Sequence, residues 1–248
     1  APRQASTPGG LTVDSPVDRL RGVDTKSAAR FKRLEVTTVR DLLYLFPRRH
    51  SDYSTIAKIS EVSPDEPCTV VGTVWESCAV KQGYQGRRVD TETVLSDESG
   101  NIKVVWFGQR YLARTLKPNT RIAISGKASV FKSQLVFESP DYELLDQGQT
   151  QIHTGRLVPV YPLAEGLTAR NVRRLSWQGL QEWLAGVDEF LPEDVLSQND
   201  LMLLQQAVMQ AHYPDNMAAW EEARRRTDVL LACLLACLLA CLVGWLLA

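Results

Sequence analysis

The sequence predicts an α+β protein that is mainly β, in which helical segments flank a small barrel. Two observations indicate this class. Within residues 68–145 apolar side chains alternate with polar ones, the period of half-buried strands. Within residues 16–47 they recur at helical spacing. Of the 248 residues, 23% are charged and 44% hydrophobic. This composition excludes a wholly disordered chain, a collagen and a small disulfide scaffold.

Five strands are predicted in the alternating region, at residues 69–75, 88–95, 102–107, 121–130 and 135–144. Gly83 and Gly86 mark the first hairpin loop, and residues 97–101 mark the second. Between the third and fourth strands, residues 109–116 form a short predicted helix that Pro118 ends. Five strands with one helix after the third is the order of an OB-fold barrel. Such barrels often bind oligonucleotides, but they also bind sugars and proteins.

Two short helices are predicted ahead of the barrel, at residues 26–34 and 39–46. Thr37 or Thr38 caps the second helix, and Pro47 ends it. Helical hairpins of this kind often bind phosphate through the backbone amides of a Gly-x-Gly turn. The turn here reads Gly-Val-Asp at 22–24, so a packing role is preferred over phosphate contact.

Basic and acidic residues are segregated along the chain, although the formal net charge is only −1. Residues 17–49 carry nine basic and four acidic side chains, and residues 78–133 carry ten and four. Residues 134–226 carry seven basic and fourteen acidic side chains. Two basic segments ahead of an acidic one favour a nucleic-acid partner. Basic residues that merely cover solvated faces would give the same counts.

An aromatic pair lies where the third predicted strand meets the predicted helix. Side chains alternate along a strand, so Phe107 lies on the same face as Lys103, and Tyr111 follows one helical turn later. With Arg110 and Arg114 nearby, exposed rings would stack on bases while the cations attract phosphate. The alternative is that both rings close the end of the barrel. On these residues alone, that alternative is favoured.

The fourth predicted strand also alternates. Ile122 and Ile124 are expected to face inward, and the outward residues are Arg121, Ser125 and Lys127. The run Ser-Gly-Lys-Ala at 125–128 is similar to part of a phosphate-binding loop. That loop needs Gly at position 121 and Ser or Thr at position 128, where this chain has Arg and Ala. An ATP site of that kind is therefore excluded.

No catalytic or metal-binding constellation is present in the sequence. His50, His153 and His212 are far apart, and none lies beside a nucleophile signature. The five cysteines form no CxxC pair, and no His stands at zinc-ligand spacing. The first residues contain no apolar signal segment. We therefore expect a cytoplasmic chain with no cofactor or metal of its own.

The end of the chain is unusually apolar. Residues 229–248 contain no charged side chain, and residues 230–241 repeat Leu-Leu-Ala-Cys three times. As a helix, this segment would extend about 30 Å, the thickness of a bilayer core. Arg224, Arg225 and Arg226 precede it, as in a membrane anchor with a cytosolic domain. Three interpretations stay open: an out-of-frame or engineered end, a membrane anchor, and a buried helix.

The most distinctive run is LVPVYPLAEGLT at residues 157–168. Shorter distinctive runs are LRGV at 20–23, VRDLLYLFPRR at 39–49, VWFGQ at 105–109 with YL at 111–112, HYP at 212–214 and EEARRR at 221–226. Together these runs resemble the N-terminal region of RecG, the bacterial branch-migration DNA helicase. The resemblance covers residues 16–226. From Thr227 onward the sequence departs from the family, and Asp24 and Glu35 stand where glycine is common.

The resemblance implies that the barrel is a wedge domain, which lies at a stalled replication fork and helps to split its strands. Phe107 and Tyr111 match the family's junction-stacking aromatic pair in type and in four-residue spacing, which reverses the preference stated above. The side chains implied to reach phosphates are Lys81, Arg87, Arg88, Lys103, Arg110, Arg114 and Lys127. A fork enzyme is expected to recognise the shape of DNA rather than its sequence.

We therefore predict the DNA-binding wedge portion of a RecG-like ATP-dependent helicase that acts on branched DNA in recombination and repair. ATP and Mg²⁺ belong to the family's motor domains, which this chain lacks, so the chain alone is expected to be non-catalytic. The predicted segments are a disordered leader (1–15), a helical hairpin region (16–60), the barrel (61–148), a linker with helices (149–226) and an apolar tail (227–248). The alternative is a tail-anchored, membrane-associated protein-interaction module.

Overall fold

The computed structural model describes residues 12–82, 88–145 and 154–246. The helices within them are α1 (Thr25–Phe31), α2 (Val39–Leu43), α3 (Leu112–Thr115), α4 (Ala169–Trp183), α5 (Glu193–Gln198), α6 (Leu204–His212) and α7 (Met217–Leu246). The strands are β1 (Arg49–Asp52), β2 (Ile56–Ala57), β3 (Pro67–Gln82), β4 (Arg88–Ser96), β5 (Asn101–Trp106), β6 (Arg121–Phe131), β7 (Gln134–Glu138), β8 (Asp141–Leu144) and β9 (Leu157–Val160). Short 3₁₀ turns occur at Val17–Arg19, Lys32–Leu34, Ile59–Glu61 and Leu184–Gly186.

The chain divides into two compact units. The barrel unit comprises residues 51–158, and the helical unit comprises residues 1–50 together with 159–248. The barrel unit begins ahead of residue 61 because β2 pairs in parallel with β3, where the Thr69 N–H donates to the Thr55 carbonyl. It extends past residue 148 because the Gly155 N–H donates to Thr69 Oγ1.

Five strands of the barrel unit pair in a closed ring. In order around the ring, β3 pairs with β4, β4 with β5, β5 with β7, β7 with β6, and β6 with β3. The β5–β7 pairing is parallel and the other four are antiparallel. Helix α3 lies between β5 and β6 in the chain. This is the predicted OB-fold order, so the predicted fold class is confirmed.

The first barrel strand is longer than predicted because it serves two partners. The N-terminal part of β3 pairs with β6, from Pro67 to Thr73, and the C-terminal part pairs with β4 as far as Gln82. The register with β4 shifts between Val74 and Glu76. A bulge bends a strand and increases its twist, which allows one strand to belong to both sides of a barrel.

The fifth predicted strand is divided into β7 and β8. Ser139 between them has a left-handed φ of 48°, and Pro140 has no N–H to donate to a ladder. Both strands pair with β6. The helix predicted at 109–116 is also shorter, because residues 107–111 form a turn in which Gly108 has a φ of 68°.

The barrel core is apolar and closed at one end by α3. Leu112 of α3 and Leu116, which directly follows α3, are fully buried, and Trp106 donates its indole N–H to the Pro140 carbonyl at 3.0 Å. The strands contribute mainly Val, Leu, Ile and aromatic side chains, among them Val70, Val74, Leu95, Val104, Ile122, Ile124 and Phe137. Ile122 and Ile124 therefore face inward, as predicted.

Ser125 lies on the outer side of its strand, as predicted, but that side is not exposed to solvent there. Ser125 is fully buried, and its Oγ lies 2.6 Å from Thr69 Oγ1. The Gly155 N–H donates to the same Thr69 hydroxyl at 3.2 Å. Strand alternation predicts exposure only where one face of a strand meets solvent, and here residues 154–155 lie against the outer side of the sheet.

The helical unit begins with two capped helices. The Asp24 carboxylate accepts from the Ser27 N–H at the start of α1, and Thr38 and Asp41 form a reciprocal capping box at α2. Helix α2 ends at Leu43 rather than at residue 46. Ordered contacts begin ahead of residue 16, because Val13 is buried and Asp14 pairs with Arg40 at 2.6 Å.

Three of the family-like runs meet in the core of the helical unit. The Tyr161 hydroxyl donates to His212 Nδ1 at 2.7 Å, and His212 Nε2 donates to the Leu43 carbonyl at 2.9 Å. Both bonds fit a neutral imidazole protonated on Nε2. Burial, with a smaller contribution from the nearby His50, lowers the pKa of His212 to about 4. Tyr161 and His212 therefore hold the unit together and do not face solvent.

Helix α7 runs without a break through the boundary predicted at residue 227. Arg226 is 0% exposed, lies 2.6 Å from Glu189 and stands over the Phe190 ring at 4.9 Å from its centroid. Leu230 is also buried. Arg226 is therefore a paired side chain in the core of the helical unit, whereas Arg224 and Arg225 are exposed. Among the described residues, no helix is both long enough and apolar enough to cross a membrane.

Candidate nucleic-acid interface

The aromatic pair lies on the surface of the barrel unit. Phe107 is 42% exposed and Tyr111 is 54% exposed. Leu112 and Leu116 close the end of the barrel instead, so the interpretation of the two rings as a plug is wrong. Both rings are therefore accessible to a ligand, on the turn that follows β5.

Three polar side chains hold the turn that presents these rings. Asp90 Oδ1 accepts from the Gly108 N–H at 2.8 Å, and Thr91 Oγ1 donates to the Gln109 carbonyl at 2.9 Å. Ser139 Oγ accepts from the Phe107 N–H at 3.2 Å. Asp90 and Thr91 are buried, although they belong to a strand that borders the surface. The hydrogen bonds of Asp90 and Thr91 therefore fix the turn to β4.

The backbone conformation at position 108 explains why the residue there is glycine. Its φ of 68° is left-handed, and a Cβ added there would meet no atom within 4 Å. Glycine is therefore required here because of the left-handed backbone, and not because a larger side chain would clash with a neighbour. The turn it makes sets Tyr111 beside Gln109, whose side-chain oxygen accepts from the Tyr111 hydroxyl at 3.0 Å.

Two of the predicted phosphate-binding cations are engaged by carboxylates. Arg88 Nη2 lies 3.0 Å from Asp90 Oδ2, and the Arg88 guanidinium lies over the Phe107 ring at 5.1 Å from its centroid. Lys103 Nζ lies 2.6 Å from Glu92 Oε2. Asp90 thus connects Arg88 to the aromatic turn, and both cations belong to the structure of this face.

The other predicted cations are more open. Arg110 and Arg114 are exposed next to Tyr111, and neither forms an ion pair within the described part of the chain. Lys81 is exposed on β3, in register with Val89. Lys127 is exposed on β6, in register with Pro67. Arg87 lies outside the described residues.

A groove of about 350 Å³ runs over the outer face of β4, β5 and β7. It is lined by Arg88, Asp90, Glu92, Lys103, Val105, Phe107, Phe131, Lys132, Gln134, Val136 and Glu138. We call this feature the outer groove. The structure therefore brings Arg88, Lys103 and Phe107 together in one site, whereas Lys81 and Lys127 do not line it.

The sequence interpretation missed four residues of this face. Asp90 and Thr91 look like ordinary strand residues, and only tertiary structure shows that they bind the turn. Phe131 and Lys132 lie at the tip between the predicted fourth and fifth strands. Lys132 and Ser133 are both left-handed, with φ of 48° and 63°, as in the two-residue turns that join hairpin strands. The short polar gap between two strands was a usable signal for this tip.

Metal ligands do not assemble on this face or elsewhere in the part of the chain that the structure describes. No group of three or more His, Cys, Asp or Glu residues there is arranged to hold a metal ion. The functional features of the surface are therefore its rings, cations and hydrogen-bonding groups.

A closed OB ring with a groove over its outer face and two exposed aromatic side chains on a fixed turn defines an OB-fold domain. A family model described as the RecG wedge domain matches residues 16–181. The chain belongs to the RecG wedge-domain family.

Full-length relatives agree with this assignment. The chain is 31% identical over 232 residues to the ATP-dependent DNA helicase RecG of Synechocystis sp.. The aligned region covers 88% of this chain and 28% of the relative. It is 30% identical over 208 residues to the ATP-dependent DNA helicase RecG of Escherichia coli (strain K12), with 83% and 29% covered. The chain thus spans less than a third of the length of these relatives.

A solved structure shows the same fold. The structure of RecG bound to a three-way DNA junction matches with a TM-score of 0.74 and 23% sequence identity. The match covers 90% of this chain and 30% of that one. The likeness extends over both the barrel unit and the helical unit, because neither unit alone contains that share of the residues.

Proposed function

We propose that this chain is the DNA-binding wedge portion of an ATP-dependent DNA helicase of the RecG type. In this proposal it binds branched DNA at stalled forks and junctions and helps to separate strands in recombination and repair. The observation that carries the proposal is the fixed turn that exposes Phe107 and Tyr111. The buried Asp90 and Thr91 give this turn a defined position.

The chemistry of the surface suits a junction. An aromatic ring that stacks on an unpaired base contributes about 1–3 kcal/mol, and it does so for every base because each has a π-face. Arg110 and Arg114 lie next to the rings and are free to contact phosphates. Stacking selects for bases that are exposed, as at a fork, while phosphate contacts favour DNA in general. The two together would recognise shape rather than sequence.

The catalytic step would belong to another part of the protein. The sequence contains no P-loop, and the chain corresponds to 28% of the length of its Synechocystis relative. We therefore propose that ATP and Mg²⁺ act in a motor outside this chain, and that this chain alone binds DNA without hydrolysing ATP. Free thiols at Cys68 and Cys78 support a reducing compartment, which for this function would be the cytoplasm.

The test is fluorescence anisotropy of the whole chain with a model fork and with a linear duplex of equal length, across a salt series. We expect the fork to bind more tightly, and the double variant Phe107→Ala/Tyr111→Ala to lose that preference. Residual binding by the variant should still weaken with salt, because phosphate contacts release counterions. Trp75→Ala is the matched control, since Trp75 is an aromatic side chain of the barrel unit that is 74% exposed and does not line the outer groove.

Equal, weak binding to fork and duplex that the double variant leaves unchanged would contradict the proposal. Loss of fork preference in Trp75→Ala to the same extent as in the double variant would also contradict it, because the preference would then not depend on the turn. ATPase assays of the same preparation should show no hydrolysis with or without fork DNA.

A further inference from the structure

We propose that the outer groove holds a short unpaired DNA strand that is stacked at both ends, on Phe107 at one end and on Phe131 at the other. This inference rests on the proposed function and assigns a second stacking residue, Phe131, to the same site. Phe107 would contact the base at the junction. Phe131 would contact a base further along the same single strand.

The strand register sets the distance between the two rings. Val105 is in register with Glu138, so Phe107 lies two residues beyond the level of Glu138. Phe131 is in register with Gln134, four residues before Glu138 on the same strand. Six residues of strand correspond to about 20 Å at about 3.3 Å each. A span of this size accommodates about four nucleotides, the low end of the site sizes of OB folds.

Phe131 is an exposed side chain and does not belong to the barrel core. It is 57% exposed at the tip of the β6–β7 hairpin, and it lines the groove together with Phe107. The ammonium of Lys132 lies over its ring, 5.4 Å from the centroid. Phe107 has the equivalent arrangement with the Arg88 guanidinium. Both ends of the groove thus carry an exposed aromatic ring with a cation over one face, so a base would stack on the other face with a positive charge close to the DNA strand.

The floor between the rings suits bases better than phosphates. Val105 and Val136 provide apolar surface, and Lys103 is neutralised by Glu92 as Arg88 is by Asp90. Glu138 adds a further carboxylate to the lining. Because Arg88 and Lys103 are already paired, the floor offers phosphates no unpaired cation, whereas base amino and imino groups can donate hydrogen bonds to the carboxylates. The backbone of the strand would therefore lie outward, within reach of Lys132 at the tip.

The experiment measures the affinity of the whole chain for forks whose single-stranded arm is either about two or about eight nucleotides long. Phe131→Ala should weaken binding to the long-armed fork about tenfold and leave the short-armed fork unchanged, because a short arm cannot reach the tip. Phe107→Ala should weaken both. Val130→Ala is the control, since Val130 is exposed on the same hairpin, next to Phe131, and does not line the groove.

A second readout locates the contact. With 2-aminopurine placed at successive positions of the long arm, the fluorescence change on binding should show two maxima about four nucleotides apart, and Phe131→Ala should abolish only the distal one. The inference is overturned if Phe131→Ala behaves like Val130→Ala, or if it weakens both forks equally. If wild-type protein shows no preference for forks at all, the proposed function fails first. If the preference depends on Phe107 but not on Phe131, only the present inference fails.

Discussion

The two units of this chain use buried polar groups in opposite ways. In the helical unit, the buried His212 of α6 binds the Leu43 carbonyl of α2 and the Tyr161 hydroxyl, and the buried Arg226 of α7 pairs with Glu189. In the barrel unit, the buried Asp90 and Thr91 bind the backbone of a surface turn. Polar groups cost free energy to bury unless they are satisfied. Asp90 and Thr91 are satisfied by the turn, so their burial fixes the backbone that carries the exposed rings.

The largest effect is expected from Arg226→Ala in the helical unit. This change leaves Glu189 without its cation and opens a cavity at a fully buried site. Removing one member of such a pair should lower the free energy of unfolding by about 3 kcal/mol. Denaturant unfolding measures this change. Arg224→Ala is the control on the same helix, because its pair with Asp228 is exposed and should contribute less than about 0.5 kcal/mol.

If Arg226→Ala is no more destabilising than Arg224→Ala, the buried pair is not structural and the contrast between the units fails. Fork affinity gives a second check. Below the unfolding transition, we expect Arg226→Ala to bind fork DNA as wild type does, because no residue of the outer groove is altered.

The next effect is the acid sensitivity of the helical unit. The folded protein lowers the pKa of His212 from 6.5 to about 4, mainly by burial, so the unfolded chain takes up the proton first. Stability is therefore fully present above pH 6.5 and falls as the pH decreases toward 4. The expected loss is about 3 kcal/mol near pH 4. Unfolding free energies measured between pH 4 and 7 give this profile.

His212→Gln is the comparison, because glutamine does not titrate and the slope due to this site should disappear. Carboxylates with lowered pKa values, such as Asp41 and Asp97, contribute a further loss at lower pH in both proteins. The same slope between pH 5 and 6.5 in both proteins would show that His212 is not the group responsible.

Asp90→Asn is expected to lower the free energy of unfolding less than the other changes. It is also expected to lower the affinity for fork DNA. The amide oxygen can still accept from the Gly108 N–H, but the ion pair with Arg88 is lost. We expect stability to fall by about 1–2 kcal/mol and fork affinity to fall several-fold, because the turn and Arg88 lose their common support. Anisotropy and denaturant unfolding measure the two changes.

The change in charge alone would raise the affinity for DNA, because removing a carboxylate favours the binding of an anionic ligand. Glu98→Gln serves as the matched control. Glu98 is an exposed acid of the same unit, paired with Lys58 outside the outer groove, and its variant should bind fork DNA as well as wild type or slightly better. Tighter binding by Asp90→Asn would show that the ion pair only suppresses affinity and does not position the turn.

The sequence was informative where one period describes an element and one face meets solvent. The five barrel strands, Thr38 as the cap of α2 and the inward Ile122 and Ile124 all follow from local pattern. The burial of Ser125 was missed because alternation does not reveal that both sides of a strand are covered. The break at Ser139 and Pro140 was missed although Pro140 is visible in the sequence, because the apolar residues on either side of it favoured one strand.

The residues of the candidate site also fall into those that the sequence predicted and those that it did not. Spacing singled out Phe107 and Tyr111, but their exposure was expected only from the resemblance to the family, because the residues alone favoured a plug of the barrel end. Asp90 and Thr91 could not be found from the sequence, because their function is to bind backbone groups that only the folded chain brings near. The pairing of Arg88 and Lys103 with carboxylates was also hidden, since it depends on register between strands. Tertiary contacts, rather than composition, decide which basic residues remain free for a ligand.

The pairing of β3 with β6, which closes the ring, has a consequence for how the protein folds. Residues 67–73 must meet residues 121–127, and this contact spans the whole of β4, β5 and α3. Contacts between residues distant in sequence slow folding, because loop entropy is lost before they form. The hairpin of β3 and β4 can form early, and closure completes the barrel. The outer groove would then exist only late in folding, since β7 reaches its place beside β5 together with β6.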